Sequence, residues 1–209
     1  MVRIYLLRHG QTVFNVEHVI SGQIETDLTD VGKQQALDAA LELKKQGVSF
    51  DVILCSTLGR AKETAKIISG VIKAPIVEKA GLQEFYNGVF EGVKIEQLQQ
   101  MHFEKPYNTA GVDFENGADL YEAYSSFDEK YDTFAYPKGE QKCEARERFM
   151  KTIEDYISAN PTVKNMAVVA HGGVIRFMLL KICPNAVKEK IKNLEARVVY
   201  YDTKKGFYA

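Results

Sequence analysis

The chain has 209 residues, 45% of them hydrophobic, enough to bury one sizeable core and predicting one domain with room for an insertion. A net charge of −1 supplies no basic field for nucleic acid, and no apolar run approaches membrane-spanning length. Three cysteines, Cys55, Cys143 and Cys183, are an odd number without metal-like spacing; with no signal peptide in view, they read as reduced thiols of a cytoplasmic protein.

The apolar run Ile4 to Leu7 reads as a buried strand. It ends in Arg8-His9-Gly10, and the carboxyl ends of strands are where open α/β sheets bind ligands. Gly10 lets the backbone turn sharply. Arg8 offers a planar fork for phosphate or carboxylate, and a neutral imidazole at His9 is a nucleophile or general base. By itself the tripeptide is a weak motif, equally compatible with a strand running into a polar loop. Thr12 to Gly22 reads as a loop or short helix. Thr29 is a good N-cap, and Leu37, Leu41 and Leu43 continue a helical pattern to a stop at Gly47. Val52 to Ser56 reads as another strand.

Leu58 to Val71 follows as an amphipathic helix, with Ala61, Ala65 and Ile68 on one face. Arg60 stands in its first turn, where a cation is electrostatically disfavoured. An anion shared between that terminus and Arg60 would account for it; a solvated surface arginine is the alternative. Cys55 and Arg60 nearly match the phosphate loop of cysteine phosphatases. They flank four residues where that loop has five, so Cys55 reads as a core thiol.

Pro75 to Val77 is a short edge strand. Leu82 to Gly92 carries two carboxylates, Glu84 and Glu91. Residues 85–136 hold twelve of the chain's twenty-two Phe and Tyr, and ten acidic residues against three lysines, a net of −7 that leaves +6 elsewhere. This stretch reads as an inserted, partly helical cap, or as a lobe with its own aromatic core and a solvated acidic face. As a cap, its charge would repel multiply anionic substrates, while its aromatics would favour an apolar or stacking moiety. Gln141 to Ala159 is a helix stopping near Asn160-Pro161. Met166 to Ala170 is a further buried strand. It ends in His171-Gly172-Gly173, so two of the chain's four histidines stand at strand ends before a glycine. Val174 to Ile182 reads as a buried helix, and Val198 to Asp202 and Phe207-Tyr208 as late strands.

Arg8-His9-Gly10, Arg60 and His171-Gly172-Gly173, in this order, resemble the histidine phosphatase superfamily, or phosphoglycerate mutase-like family. Leu28 to Ala36, Leu82 to Gly92 and Pro137 to Gln141 are similar to further family segments, and Arg176 fits a His-Gly-Gly-x-x-Arg form of its phosphatases. The resemblance runs from Arg3 to about Asp202. It implies a three-layer α/β/α sandwich with a mixed, mostly parallel sheet, one domain over 1–209 with the cap inserted at about 85–136. It also implies a metal-independent phosphatase without cofactor, acting on a small-molecule phosphate ester. His9 would form a phosphohistidine, its pKa lowered by the surrounding cations; which ring nitrogen attacks stays open. Arg8, Arg60 and His171 would hold the phosphate oxygens.

Asn15, six residues after His9, would help them, unless it serves only as a helix cap. Glu84 would be the proton donor, with Glu91 as the competing acid. Gln23 and Gly172 are candidate substrate contacts, and Glu140 is a supporting residue. Val19, Ser21 and Gly22 stand where the family usually has an arginine and a Gln-Gly pair. Gly173 stands where mutases usually have asparagine, and the longer mutase tail is missing. These departures favour hydrolysis over the alternative, a phosphoglycerate mutase; a non-catalytic phosphate-ligand-binding protein is the third reading. No nucleic acid or membrane partner is expected, and the chain would be a monomer or homodimer.

Overall fold

The computed structural model describes residues 1–126, 129–183 and 191–209, so 127 and 128 of the cap segment lie outside the described residues. In chain order the elements are β1 (Val2–Arg8), α1 (Val13–Val16), α2 (Asp30–Lys45), β2 (Val52–Ser56), α3 (Gly59–Ile72), β3 (Ile76–Lys79), α4 (Ile95–Gln99), β4 (His102–Thr109), β5 (Val112–Asn116), α5 (Gly117–Ser125), α6 (Lys142–Ala159), β6 (Asn165–Ala170), α7 (Gly172–Ile182), β7 (Ala196–Asp202) and β8 (Gly206–Tyr208). Six strands form one mixed sheet in the order β3-β2-β6-β1-β7-β8. The first four run parallel, while β7 and β8 are antiparallel additions.

Successive side chains on a strand point to opposite faces, and this alternation divides the core. Tyr5, Leu7, Ile53, Cys55, Ala167 and Val169 pack with Ala40, Ala61, Ala65 and Ile68 of α2 and α3. Ile4, Leu6, Leu54 and Val168 pack on the other face with Ala145, Phe149 and Ile153 of α6 and with Val174 and Met178 of α7. The result is the three-layer α/β/α sandwich that the sequence resemblance implies. Among the described residues no helix is long and apolar enough to cross a membrane.

Two local expectations need correction. The buried face of α2 is Gly32, Ala36, Ala40 and Leu43, so of the three leucines in the pattern only Leu43 is buried, and Leu41 is 50% exposed. Small residues are needed here because α2 lies backbone against backbone on the turn after His9. A Cβ on Gly10 would collide with the Gly32 carbonyl, and one on Gly32 with the Gln11 carbonyl. The helix still starts and stops as expected, with Thr29 Oγ1 accepting from Gly32 N–H and Gly47 at φ +73°. The second correction is to the cap, which contains an antiparallel hairpin, β4–β5, beside its short helices. Its aromatic interior is not separate, since Phe85, Phe114, Phe134 and Tyr136 are continuous with the core of the α6/α7 layer.

Candidate active site

β1 and β6 are parallel neighbours, with Arg8 level with Ala170. The two His-Gly strand ends therefore emerge side by side. The His9 N–H donates to the Ala170 carbonyl at 3.0 Å, and the His9 and His171 ring centroids are 5.2 Å apart. His9 Nδ1 lies 2.7 Å from the Gly10 carbonyl oxygen. A carbonyl only accepts, so Nδ1 carries the proton and Nε2 keeps its lone pair. The Gly10 N–H is held by Thr64 Oγ1 at 3.1 Å, whose hydroxyl donates to Arg60 O. That pair ties α3 to the turn.

The two arginines are pinned at their far ends. Arg8 Nη1 donates to Ile191 O, while Arg60 donates from Nη1 to Ile24 O and from Nη2 to Gly22 O. Arg8 Nε, Arg60 Nε and both His171 ring nitrogens are buried without a hydrogen-bond partner among the described residues. Burial, then the Arg60 and Arg8 charges, holds the His9 pKa well below the usual imidazole value. Burial and Arg60 do the same to His171. Both rings are therefore neutral at neutral pH.

Glu84 enters from the segment before the cap. Its Oε1 accepts from the Phe85 and Val174 N–H groups, and its Oε2 from Gly173 N–H at 2.9 Å. The carboxylate thus sits on the N-terminus of α7, where the helix dipole favours negative charge. Gly173 makes this possible, because a Cβ there would lie 2.6 Å from Glu84 Oε1. A carboxylate offers about four lone pairs, so three are occupied and one on Oε2 remains for a proton. Glu91 does not line the cavity; its Oε1 accepts from the Gln23 and Asn87 backbone N–H groups. Gln23 is not there either. Its side-chain amide donates to Glu84 O at 3.0 Å and so braces the acid's backbone.

Arg8, His9, Asn15, Arg60, Glu84 and Gly172 line one cavity of about 180 Å³. Asn15 closes a capping box with Thr12, accepting from Thr12 N–H through Oδ1. The cap reading therefore uses its oxygen and leaves its NH₂ to donate. Ile95, Tyr121, Tyr124 and Ser125 form the cap's wall, and Arg176, which donates to Tyr124 O, also lines the cavity. Among the described acidic residues of the cap, Glu96, Glu104, Asp113, Glu115, Asp119 and Glu122 are exposed and none lines the cavity. The α3 terminus also differs from expectation, as its anion is the Glu25 carboxylate, which accepts from Gly59 N–H. Cys55 is a core thiol, pushed up to about 11 by burial. Among the described residues no cluster of three or more His, Cys, Asp or Glu could hold a metal.

Several supporting residues were not singled out from the sequence. Asn193 donates to His9 O at 2.8 Å and to Asn15 Oδ1 at 3.3 Å. Arg148 forms a two-pronged pair with Glu140 and also reaches backbone carbonyls beside Glu84. It did leave a signal: with Ala145, Phe149 and Thr152 it falls on the inward i, i+3, i+4, i+7 stripe of α6.

The family model of the histidine phosphatase superfamily (branch 1) matches residues 4–119 and 110–206. The chain belongs to this superfamily. It is 31% identical over 202 residues to a metal-independent phosphoserine phosphatase of Arabidopsis thaliana, covering 96% of this chain and 76% of that protein. It is 30% identical over 190 residues to a probable phosphoglycerate mutase of Erwinia tasmaniensis, covering 89% and 78%. A solved mycobacterial glucosyl-3-phosphoglycerate phosphatase shares the fold with a TM-score of 0.79 at 23% identity, covering 100% of this chain and 96% of that one.

Proposed function

We propose that the chain is a phosphatase that hydrolyses a phosphate monoester through a phosphohistidine at His9. The observation that carries this reading is the His9 Nδ1–Gly10 O bond, which leaves Nε2 as a lone-pair nucleophile beside Arg8, Arg60 and Glu84. Nε2 attacks phosphorus in line, and the ester P–O bond breaks as the N–P bond forms. Phosphoryl transfer depends chiefly on positioning and charge stabilisation. Arg8, Arg60, His171 and the Asn15 amide supply donors to the phosphoryl oxygens, and no metal is required for that charge. Glu84 gives its proton to the leaving alkoxide, then takes one from water as water attacks the phosphohistidine and the N–P bond breaks.

At roughly 10–15 Å³ per water-sized group, the cavity takes a phosphoryl group and a leaving group of metabolite size. Ile20, Ile95, Tyr121 and Tyr124 on its walls favour an apolar or stacking body. The chain acts as one domain, its cap segment closing the pocket. Three free cysteines suit the cytoplasm, and we expect a monomer or homodimer with neither nucleic acid nor membrane as partner.

The mutase reading has a namesake among the relatives, but here an apolar Val19 lines the cavity. The test is labelling with a phosphate ester. Acid-labile, base-stable phosphate should appear on the protein and vanish in His9→Ala, and phosphate release should outrun 2- to 3-phosphoglycerate interconversion. A label that survives in His9→Ala, or that sits on Cys55, overturns the mechanism. Interconversion faster than release by orders of magnitude makes the chain a mutase.

A further inference from the structure

Arg148 lies in α6, yet every donor of its guanidinium is committed. Nε and Nη2 grip the Glu140 carboxylate at 2.8 Å each. Nη1 donates to Gly81 O at 2.8 Å and Gln83 O at 3.0 Å, and Nη2 also donates to Glu84 O at 3.3 Å. A guanidinium has five N–H donors in a fixed fork. Here two hold the carboxylate that fixes the fork, and three hold carbonyls of the four residues ending at Glu84. From the other side, the Gln23 amide donates to the same Glu84 carbonyl. The Glu84 carboxylate is separately aimed by α7.

We infer that Arg148 is a positioning residue for the proton transfer at Glu84, with Glu140 and Gln23 completing the clamp. This rests on the phosphatase reading, in which Glu84 is the general acid. A proton donor must come within about 2.6–3.2 Å of its acceptor, and a 1 Å misplacement costs on the order of 10²-fold in rate. Backbone sliding at Gly81–Glu84 would move the carboxylate by such amounts. An arginine serving the fold alone would carry no preference for the kind of leaving group. One that positions the acid must matter most where the leaving group needs the proton.

The experiment compares Arg148→Met and Gln23→Met with wild type, on propyl phosphate and on p-nitrophenyl phosphate. Turnover of propyl phosphate should fall by roughly 10- to 100-fold in Arg148→Met with little change in KM, while the initial burst of nitrophenolate falls by far less. Glu84→Gln/Arg148→Met should be no slower on propyl phosphate than Glu84→Gln alone. Equal losses on the two substrates, or losses that multiply in the double variant, overturn the inference while leaving the phosphatase reading intact. A wild type that releases phosphate from neither ester overturns both. If circular dichroism shows Arg148→Met unfolded, Gln23→Met decides. It removes one bond to Glu84 O and should show the same selective loss at roughly 3- to 10-fold; no selectivity in that variant sinks the clamp.

Discussion

Glu84→Gln is the sharpest perturbation of the site, and its consequences follow from three hydrogen bonds. Glu84 Oε1 accepts from two N–H groups and Oε2 from one. Glutamine keeps the size but has one oxygen. That oxygen will stay with Phe85 and Val174, so the new NH₂ faces the Gly173 N–H, donor against donor. An unmade buried hydrogen bond costs about 1–3 kcal/mol. For a chain of this length that lowers Tm by about 2–12 °C, so the variant should still be folded at 25 °C. The catalytic loss is larger, because general acid catalysis contributes about 10²–10⁴-fold. An alkyl alkoxide leaves poorly without a proton, whereas nitrophenolate leaves alone. Propyl phosphate hydrolysis should therefore fall by that factor, with phosphorylation by p-nitrophenyl phosphate far less affected. Dephosphorylation still needs a base to activate water, so rapid mixing should show a nitrophenolate burst and accumulated phosphoenzyme. Equal losses on both esters without a burst would refute Glu84 as the acid and make Glu91 the next residue to replace.

The buried imidazoles of His9 and His171 have pKa values below their unfolded value of about 6.5, so their contribution to stability is complete above that pH and is lost as pH falls below it. Urea titrations between pH 7 and 5 should show a slope of up to about 1.4 kcal/mol per pH unit per ring, reduced in His9→Gln/His171→Gln; an unchanged slope would contradict their burial as neutral rings. Lys142 is 4% exposed, donates to Ala123 O among the rings of Tyr124, Phe134 and Phe177, and is pulled down to about 7 by burial. The unfolded lysine binds its proton more tightly, so this cost is greatest below pH 7 and fades toward pH 10; Lys142→Met, which leaves Ala123 O with the Ser126 N–H, should raise stability at pH 7 by about 1–4 kcal/mol, and destabilisation at every pH would show the buried amine to be a net support. Gly173→Ala puts a Cβ 2.6 Å from Glu84 Oε1 and should slow alkyl ester hydrolysis by about 10²-fold, with wild-type rates counting against the placement of Glu84.

What could be read from the sequence was what a single segment states by itself. The runs at Ile4–Leu7 and Met166–Ala170 are buried on both faces, as the central strands of a parallel sheet must be, and each ends in its histidine. The cap hairpin was hidden. Glu104-Lys105-Pro106 interrupts any alternation along β4, and the turn is Ala110-Gly111, both at positive φ (54° and 73°). Alanine is an unusual choice for a turn that normally calls for Asn-Gly. The leucines of α2 misled because its contact surface is chosen by close backbone approach at Gly32, which hydrophobicity does not register. The negative charge of the cap was real, but a sum of charges has no direction: Glu96, Glu104, Asp113, Glu115, Asp119 and Glu122 are exposed, while Glu91 and Asp132 accept hydrogen bonds inside the protein. Arg148, Asn193 and Glu25 act on groups between 34 and 184 positions away in the chain, so only the fold makes their partners known.

The same buried donors that make the site expensive to fold make it responsive to an anion. Arg8 Nε, Arg60 Nε and the single N–H of the neutral His171 ring have no hydrogen-bond partner among the described residues, and each unsatisfied buried polar atom costs about 1–3 kcal/mol. The guanidiniums cannot relax toward other acceptors, since Ile191, Gly22 and Ile24 carbonyls fix their far ends. A phosphate dianion offers acceptor oxygens and no donors, so it complements this set. Phosphate at 100 times its Kd should raise the unfolding free energy by about 2.7 kcal/mol, and it should favour protonated imidazole enough to blunt the acid-side loss at His9 and His171. Arg60→Met should abolish the gain, because it removes the guanidinium that lies against both Gly22 and the cavity. Thermal melts in phosphate and in chloride at matched ionic strength separate this from screening. Equal shifts in the two salts, or an Arg60→Met protein that still gains stability from phosphate, would mean that the donors are satisfied by something other than the anion and that the cavity is not its cradle.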